Sequence, residues 1–305
     1  MNKYYPEGKL IDQRANRQAL RTIAGLLDAK EQGLILEAKA VLCDTDHNII
    51  VDLPCCKGVI PRCEGAIGID DGSTRDIALL SRVNKPVCFK VLSVEERDGE
   101  RTAILSRREA QTEAMENYIN NLKPGDIIPA KITHLEQFGC FVDVCCGIPS
   151  LIPIDAISVS RISHPKDRFK NGQDIAAVVK DTDNGRIFLS HKELLGTWEE
   201  NASLYEAGQT VGGIVRSIEN YGIFVELRPN LAGLAESRDN VSVGQKTSVY
   251  IKSIIPEKMK IKLIIVDVFD DTSDDRSFDY YMTSGNITEW EYSTKESSKK
   301  IISTF

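Results

Sequence analysis

The stretch from Pro124 to Leu194 constrains this chain more than any other. It strings together Phe138-Gly139-Cys140-Phe141, then Ile152-Pro153-Ile154 with Asp155, then a long polar insert. Asn171-Gly172-Gln173 and Gly185-Arg186-Ile187-Phe188-Leu189-Ser190 follow. Short segments with alternating apolar residues, separated by glycine and asparagine turns, are the pattern of strands half-buried on one face. A unit this short hides its edges best by closing on itself. It is therefore predicted to be a small barrel of about five strands.

The pattern recurs. Gly125 lies 14 residues before Gly139, and Gly208 lies 14 before Gly222. Phe138-Gly-Cys-Phe141 reappears as Tyr221-Gly-Ile-Phe224, 83 residues later. Gly172-Gln173 reappears as Gly244-Gln245 after only 72, so the intervening loop is 11 residues shorter. A fixed unit with variable loops predicts tandem barrels. The expected fold is mainly β: tandem five-stranded barrels of the oligonucleotide-binding type, joined by short helices, with an N-terminal helix.

The predicted organisation runs in order. Residues 1–33 form an N-terminal helical segment, with a helix over Ile11 to Gln32 that buries Leu20, Ile23, Ala24, Leu26 and Leu27 and stops at Gly33. A degenerate barrel spans 34–108. Its strands include Ile49-Ile50-Val51, the alternation Val87, Phe89, Val91, Val94 before a turn at Glu95 to Gly99, and Ala103-Ile104-Leu105-Ser106. Connector 109–123 is a helix burying Ala110, Ala114, Met115, Tyr118 and Ile119, ended by Pro124-Gly125. The best-defined barrel is 124–194. A helix from His191 to Tyr205, packing Leu194, Leu195, Trp198 and Leu204, supplies the connector 195–206. A barrel with a shortened loop occupies 207–266. Residues 267–305 comprise an acidic bend with Asp270, Asp271, Asp274, Asp275 and Asp279, then a docked terminal segment carrying Ile287, Trp290, Tyr292, Ile301, Ile302 and Phe305.

Composition excludes some classes. Met1 to Leu10 carries Lys3, Glu7 and Lys9 around no apolar core, so it does not read as a signal peptide. No run is apolar and long enough to predict a membrane span. The eight cysteines include the adjacent pairs Cys55-Cys56 and Cys145-Cys146 but no compact disulfide framework, so reduced thiols in a cytoplasmic protein are expected. Neighbours on a strand face opposite sides, so these pairs are not expected to share a metal. His47, His134, His164 and His191 form no local ligand motif. His164, before Pro165 in the insert, is expected to cap a turn or touch RNA. No phosphate-binding or dinucleotide glycine pattern occurs, and no carboxylate pair is forced together. The expectation is no catalytic residue, no metal and no cofactor. The net charge of -7 argues mildly against bulk electrostatic binding of nucleic acid, so any such binding should be modest and salt-sensitive.

The candidate ligand surface is the ring pair. Phe138 and Phe141 flank a glycine that lets the strand bend, which would put both rings on the outer face to stack on successive unpaired bases. Lys131 and Arg186 on flanking strands would neutralise phosphates. Arg161, Lys166, Arg168 and Lys170 in the insert would fold over the bound strand. Filling the core is the competing role for the rings, and Phe188 shows the ambiguity most directly. The third barrel offers Tyr221, Phe224 and Arg216, with Lys258, Lys260 and Lys262 alternating along one side of a hairpin. The first barrel has neither ring, its corresponding stretch being Asn48-Ile49-Ile50-Val51.

These residues resemble a known family. The second repeat is similar to an S1-type domain, through Gly125-Asp126, Phe138-Gly-Cys-Phe-Val-Asp143, Gly147, Leu151-Ile-Pro-Ile154, Gly172-Gln173 and Gly185-Arg-Ile-Phe-Leu-Ser190. The third matches through Gly208-Gln209, Tyr221-Gly-Ile-Phe-Val225, Gly233-Leu234 and Gly244-Gln245. The first matches through Lys57-Gly-Val-Ile60 and Ala103-Ile-Leu-Ser106. The likeness is to short, several-repeat proteins similar to ribosomal protein S1 in Gram-positive anaerobes. It implies single-stranded RNA as ligand, with contacts from the two aromatics, a histidine on the third strand, and an acidic and a basic residue at the last hairpin. Here the aromatics are Phe138 and Phe141 and the base is Arg186. The histidine position holds Pro153, and Ala235 in the third repeat. Thr182 stands at the acidic position, flanked by Asp181 and Asp183.

The resulting expectation is non-catalytic single-stranded RNA binding, centred on the second barrel and linked to ribosome or message association in translation. The small ribosomal subunit would be a partner. The alternative is a protein-docking scaffold on a ribosomal or RNA-processing complex.

Overall fold

The computed structural model describes residues 4–97, 99–183, 186–270 and 278–305. Asp98, Gly185 and three acidic residues of the bend, Asp271, Asp274 and Asp275, lie outside them. Three closed five-stranded barrels follow one another. The first has β1 (Leu36–Cys43), β2 (Ile49–Asp52), β3 (Lys57–Ile60), β4 (Pro86–Arg97) and β5 (Glu100–Ser106). The second has β6 (Ile127–Glu136), β7 (Gly139–Cys145), β8 (Ile148–Pro153), β9 (Asp174–Asp183) and β10 (Arg186–Ser190). The third has β11 (Thr210–Glu219), β12 (Gly222–Arg228), β13 (Leu231–Ala235), β14 (Lys246–Ile255) and β15 (Lys260–Phe269). In each, strands one, two and three form a meander. Strand five then pairs parallel with strand three and antiparallel with strand four. The chain divides into two compact units, the first comprising 1–122, 129–131 and 143–149 and the second the remainder.

In the first unit the predicted N-terminal helix is two helices, α1 (Arg14–Leu20) and α2 (Ile23–Glu31). Thr22 breaks them because it is extended, with its hydroxyl accepting from the Gly25 N–H at 3.0 Å as an N-cap. Gly25 lets the two helices meet, since a Cβ there would lie 2.6 Å from the Ala19 carbonyl oxygen. Leu20 and Leu26 are buried as expected, whereas Leu27 and Ala24 are exposed. The barrel core is built from Ile49, Val51, Ile60, Val87, Phe89, Val91, Ala103 and Leu105. The short helix α3 (Ile77–Leu80) buries Leu79 from the loop between β3 and β4. After β5, Ser106 caps α4 (Arg107–Asn117), accepting from the Glu109 N–H at 2.8 Å.

Buried charge organises this unit. The Glu7 carboxylate meets Arg107 Nε at 2.8 Å, Arg82 at 3.2 Å and the Cys88 N–H at 3.1 Å. Burial alone would raise its pKa, but the two guanidiniums reverse this and hold it below the usual carboxylate value. Glu37 accepts from the backbone of Gly8, Leu10 and Ile11, so the N-terminal residues wrap around a carboxylate. Asp143 accepts from the Glu7 N–H at 2.7 Å and the Gly147 N–H at 3.0 Å. Burial, and then the charge of Glu7, raises the Asp143 carboxyl to about 7.

In the second unit, Thr197 opens α5 (Trp198–Ala202) with a reciprocal capping box to Glu200. The predicted helix from His191 is thereby shortened, and Leu204 is exposed while Leu194, Leu195 and Trp198 are buried. The core of the third barrel takes in Val215, Ile223, Val225, Leu231, Val249, Ile251, Ile261 and Leu263, with Trp290 and Tyr292 of the terminal segment added to it. That segment forms a two-stranded sheet from β16 (Glu289–Glu291) and β17 (Ile302–Thr304). Tyr292 donates its hydroxyl to the Asn230 carbonyl at 2.6 Å. Asn286 Nδ2 donates to Asp126 at 2.8 Å. His191 is buried and neutral, its pKa lowered to about 4 by desolvation. With Nδ1–H donating to the Ile157 carbonyl at 2.9 Å, Nε2 is left to accept from the Tyr280 hydroxyl at 3.0 Å. Phe169 and Phe278 pack edge-on against its ring.

The polar insert contributes the deepest ion pair. Glu226 on β12 is fully buried between Arg168 and Arg216, the latter bidentate at 3.0 and 3.1 Å. Removing one member of such a set leaves buried charge uncompensated, at about 3–5 kcal/mol. Glu226→Gln is therefore expected to cost about that much, read as a lower denaturant midpoint.

The pH dependence is also fixed in sign. Asp143 goes from 3.8 when unfolded to about 7 when folded, so the folded chain binds the extra proton in that window. Its contribution to stability is present at low pH and lost as pH rises from about 4 to 7. Asp143→Asn is expected to remove this downward slope, so that thermal midpoints of variant and parent converge or cross as pH increases.

Candidate nucleic-acid interface

The outer face of the second barrel carries the rings because the strands alternate. On β7, Cys140 and Val142 point inward and Phe141 outward; on β10, Ile187 and Leu189 are buried and Phe188 is exposed. Phe138 precedes β7 at 56% exposure, and its ring meets Phe141 edge to face, centroids 6.0 Å apart. Phe188 pairs with Leu151 on β8 and with Asp181 on β9, both outside the barrel core. The ambiguity over Phe188 thus resolves outward. The alternation Ile187, Phe188, Leu189 held that signal, although the barrel's direction had to be known to use it.

Asp181, cross-strand from Phe188, is an exposed carboxylate on this face. Thr182 instead pairs with inward-facing Ile187. A bulge between Phe188 and Leu189 sets that register, and residue counting could not see it. Arg186, two residues before Phe188 on β10, is exposed. His134, on β6, is exposed and bonded to Glu136 at 2.7 Å. Pro153 ends β8 and starts a short 3-10 turn, Ile154–Ala156.

Gly139 permits a close approach between strands. A Cβ there would lie 2.4 Å from the Ile152 carbonyl oxygen. The Phe138 carbonyl accepts from the Ile154 N–H at 2.9 Å just beyond. The glycine lets β7 start hard against β8, which holds the ring beside it. Gly222 repeats the device, a Cβ there meeting the Ala235 carbonyl oxygen at 2.5 Å.

The third barrel reproduces the face with a substitution. Tyr221 is 69% exposed and meets Phe224 edge to face at 6.2 Å. Phe224, Leu234 and Lys262 line up across three strands. Lys262 thus occupies the row position that Phe188 holds in the second barrel, and Lys260 the position of Arg186. Lys260 and Lys262 alternate with buried Ile261 and Leu263. Lys258 does not join that stripe, because it lies in the 3-10 turn Pro256–Lys258 before the left-handed Met259.

Three basic residues expected at the ligand surface are engaged elsewhere. Arg168 is buried with Glu226, and Arg216 makes the bidentate pair with the same carboxylate. Lys131 donates to the Glu7 carbonyl at 2.7 Å, its outward position on β6 covered by Glu7 and Gly8. Charge in the sequence marked these as solvated, but each is spent on packing. Arg161 and Lys166 are exposed, and Arg161 borders a cleft with Asp155, Lys192 and Ile301. His164 caps the turn Pro165–Asp167, accepting from the Lys166 N–H at 3.1 Å. Among the described residues no group of three or more metal-ligating side chains converges. No helix among them is long and apolar enough to cross a membrane.

Gly139→Ala tests the close approach. Overpacking a rigid carbonyl costs about 1–3 kcal/mol, so the thermal midpoint is expected to fall while Gly172→Ala, with open space around it, costs only its backbone strain.

Residues 121–192 match the family model for the S1 RNA binding domain. The small ribosomal subunit protein bS1 of Chlamydia muridarum is 30% identical over 190 residues, covering 57% of this chain and 33% of its own length. The bS1 homolog of Bacillus cereus is 27% identical over 225 residues, covering 67% of this chain and 59% of its own. The 4-hydroxy-3-methylbut-2-enyl diphosphate reductase of Clostridium acetobutylicum is 28% identical over 211 residues, which is 65% of this chain and 32% of that one. The chain therefore spans about a third to three fifths of the length of these relatives. Among solved structures, a multidomain protein with nucleic acid binding domains from Streptococcus pneumoniae is 13% identical, covering 77% of this chain and 73% of that one at a TM-score of 0.26. The second barrel, with its outward ring pair and its strand-five arginine, is the part of the chain that matches the S1 RNA binding domain.

Proposed function

We propose that the chain binds single-stranded RNA without cleaving it, through the outer face of the second barrel, and that this binding serves translation at the small ribosomal subunit. The observation that carries the reading is the set of three outward rings, Phe138, Phe141 and Phe188, on one S1 domain. Exposed aromatic rings cost solvation, and unpaired bases offer flat faces to cover them. Arg186 is the phosphate partner on that face. Asp181 beside Phe188 accepts hydrogen bonds from a base edge. The third barrel is an auxiliary binder, using Tyr221 and Phe224 for stacking and Lys260 and Lys262 for charge. Arg161 and Lys166 add charge from the insert.

The relatives named as small ribosomal subunit proteins support the link to translation. The reductase match covers less than a third of that enzyme.

Titration of a labelled single-stranded RNA of ~12 nucleotides, within the 4–16 nucleotide range of such barrels, tests the reading. Each stacked ring is worth about 1–3 kcal/mol, so Phe138→Ala with Phe141→Ala is expected to weaken binding at least tenfold. Arg186→Ala is expected to reduce the slope of log affinity against log salt by about 0.7. Unchanged affinity in a folded double variant would overturn the assignment.

A further inference from the structure

Cys55 and Cys56 sit where the alternation argument against paired cysteines does not apply. β2 ends at Asp52 and β3 begins at Lys57, so both residues lie in the bend between them. There the two thiols turn to the same side, with Sγ atoms 3.9 Å apart. Both are half-buried against the core of the first barrel, so neither is sealed from solvent. The other adjacent pair contrasts with it. Cys145 closes β7, Cys146 follows in a left-handed turn, and both are buried.

We propose that the Cys55–Cys56 bend is a dithiol site for trivalent arsenicals. A direct disulfide needs sulfurs at about 2.0 Å, which would require a large rearrangement of the bend. A bridging atom needs far less. Two bonds of about 2.3 Å, the length in zinc–thiolate sites, span sulfur separations up to ~4.6 Å, and the observed gap lies inside that range. Only two thiols converge, which suits a trivalent centre that keeps one organic or oxygen substituent. It does not suit zinc, which takes four ligands.

The chemistry balances without an oxidant. An organoarsenical oxide reacts with two thiols to form two As–S bonds. The oxide oxygen leaves as water with both thiol protons, and arsenic stays trivalent. Burial, followed by the neighbouring Cys56, pushes the Cys55 thiol up to about 11. The Cys55 thiol therefore stays protonated near neutrality, which disfavours its alkylation and leaves it intact for a dithiol-selective reagent.

The test is phenylarsine oxide added to the folded, reduced full chain, read by intact mass and by mapping the adduct after digestion. One adduct is expected, bridging Cys55 and Cys56 and released by excess 1,2-ethanedithiol. Cys55→Ser and Cys56→Ser should each abolish it, whereas Cys63→Ser should not. The chain unfolded in denaturant should take up a second equivalent at Cys145–Cys146. Mapping on the unmodified sequence decides the question even if a serine variant misfolds. An adduct located elsewhere, or uptake only after unfolding, would overturn the proposal.

Discussion

Each barrel closes through one parallel contact, strand three against strand five, and the rest of the structure depends on it. Closure leaves no strand edge exposed and forces every strand to alternate between a filled interior and an outer face. The interior of the third barrel is packed with Val225, Ile251, Ile261 and Leu263. The outer face is then free to carry residues that a folding chain would otherwise bury. Phe138, Phe188 and Tyr221 are exposed for this reason, since the inward positions beside them are already occupied. The glycines that open β7 and β12 tighten that geometry by letting one strand begin against the carbonyl of the next.

Charge is used in two ways. Buried carboxylates act as fixed anchor points: Glu7 between Arg82 and Arg107, Glu226 between Arg168 and Arg216, and Glu37 under a run of backbone N–H groups. Such sets contribute little net stability over an apolar core, but they punish any packing that leaves a member unpaired. They therefore hold the N-terminal residues and the polar insert each in one arrangement. Exposed cations also stand beside the rings, as Arg186 in the second barrel and Lys260 and Lys262 in the third. An overall charge of -7 is compatible with an anionic ligand when exposed cations lie beside the rings in this way.

The row that joins Phe224, Leu234 and Lys262 explains why two barrels with the same frame need not bind equally. At the same place the second barrel has Phe188 beside Leu151. One barrel offers a third ring and the other a cation, on an unchanged backbone. The distinction lies in a single outward position of strand five.

Alternation and turn spacing made the barrels legible. Gly139 and Gly222, with their flanking aromatics, marked the start of a strand, and Gly172-Gln173 and Gly244-Gln245 marked the start of another. The ring pair was legible for the same reason, because two aromatics around a glycine recur at a fixed offset. Local sequence determined these features because strand period and turn conformation are properties of a few neighbouring residues. Tertiary structure alone decided which cations remained available. Lys131, Arg168 and Arg216 look like solvated charges in one dimension, and each meets a partner 10 to 124 residues away. It also decided that Asp181 and not Thr182 lies cross-strand from Phe188, beside a bulge, and that Cys55 and Cys56 turn together, through a bend. Burial and register depend on residues distant in the chain, and no local pattern encodes them.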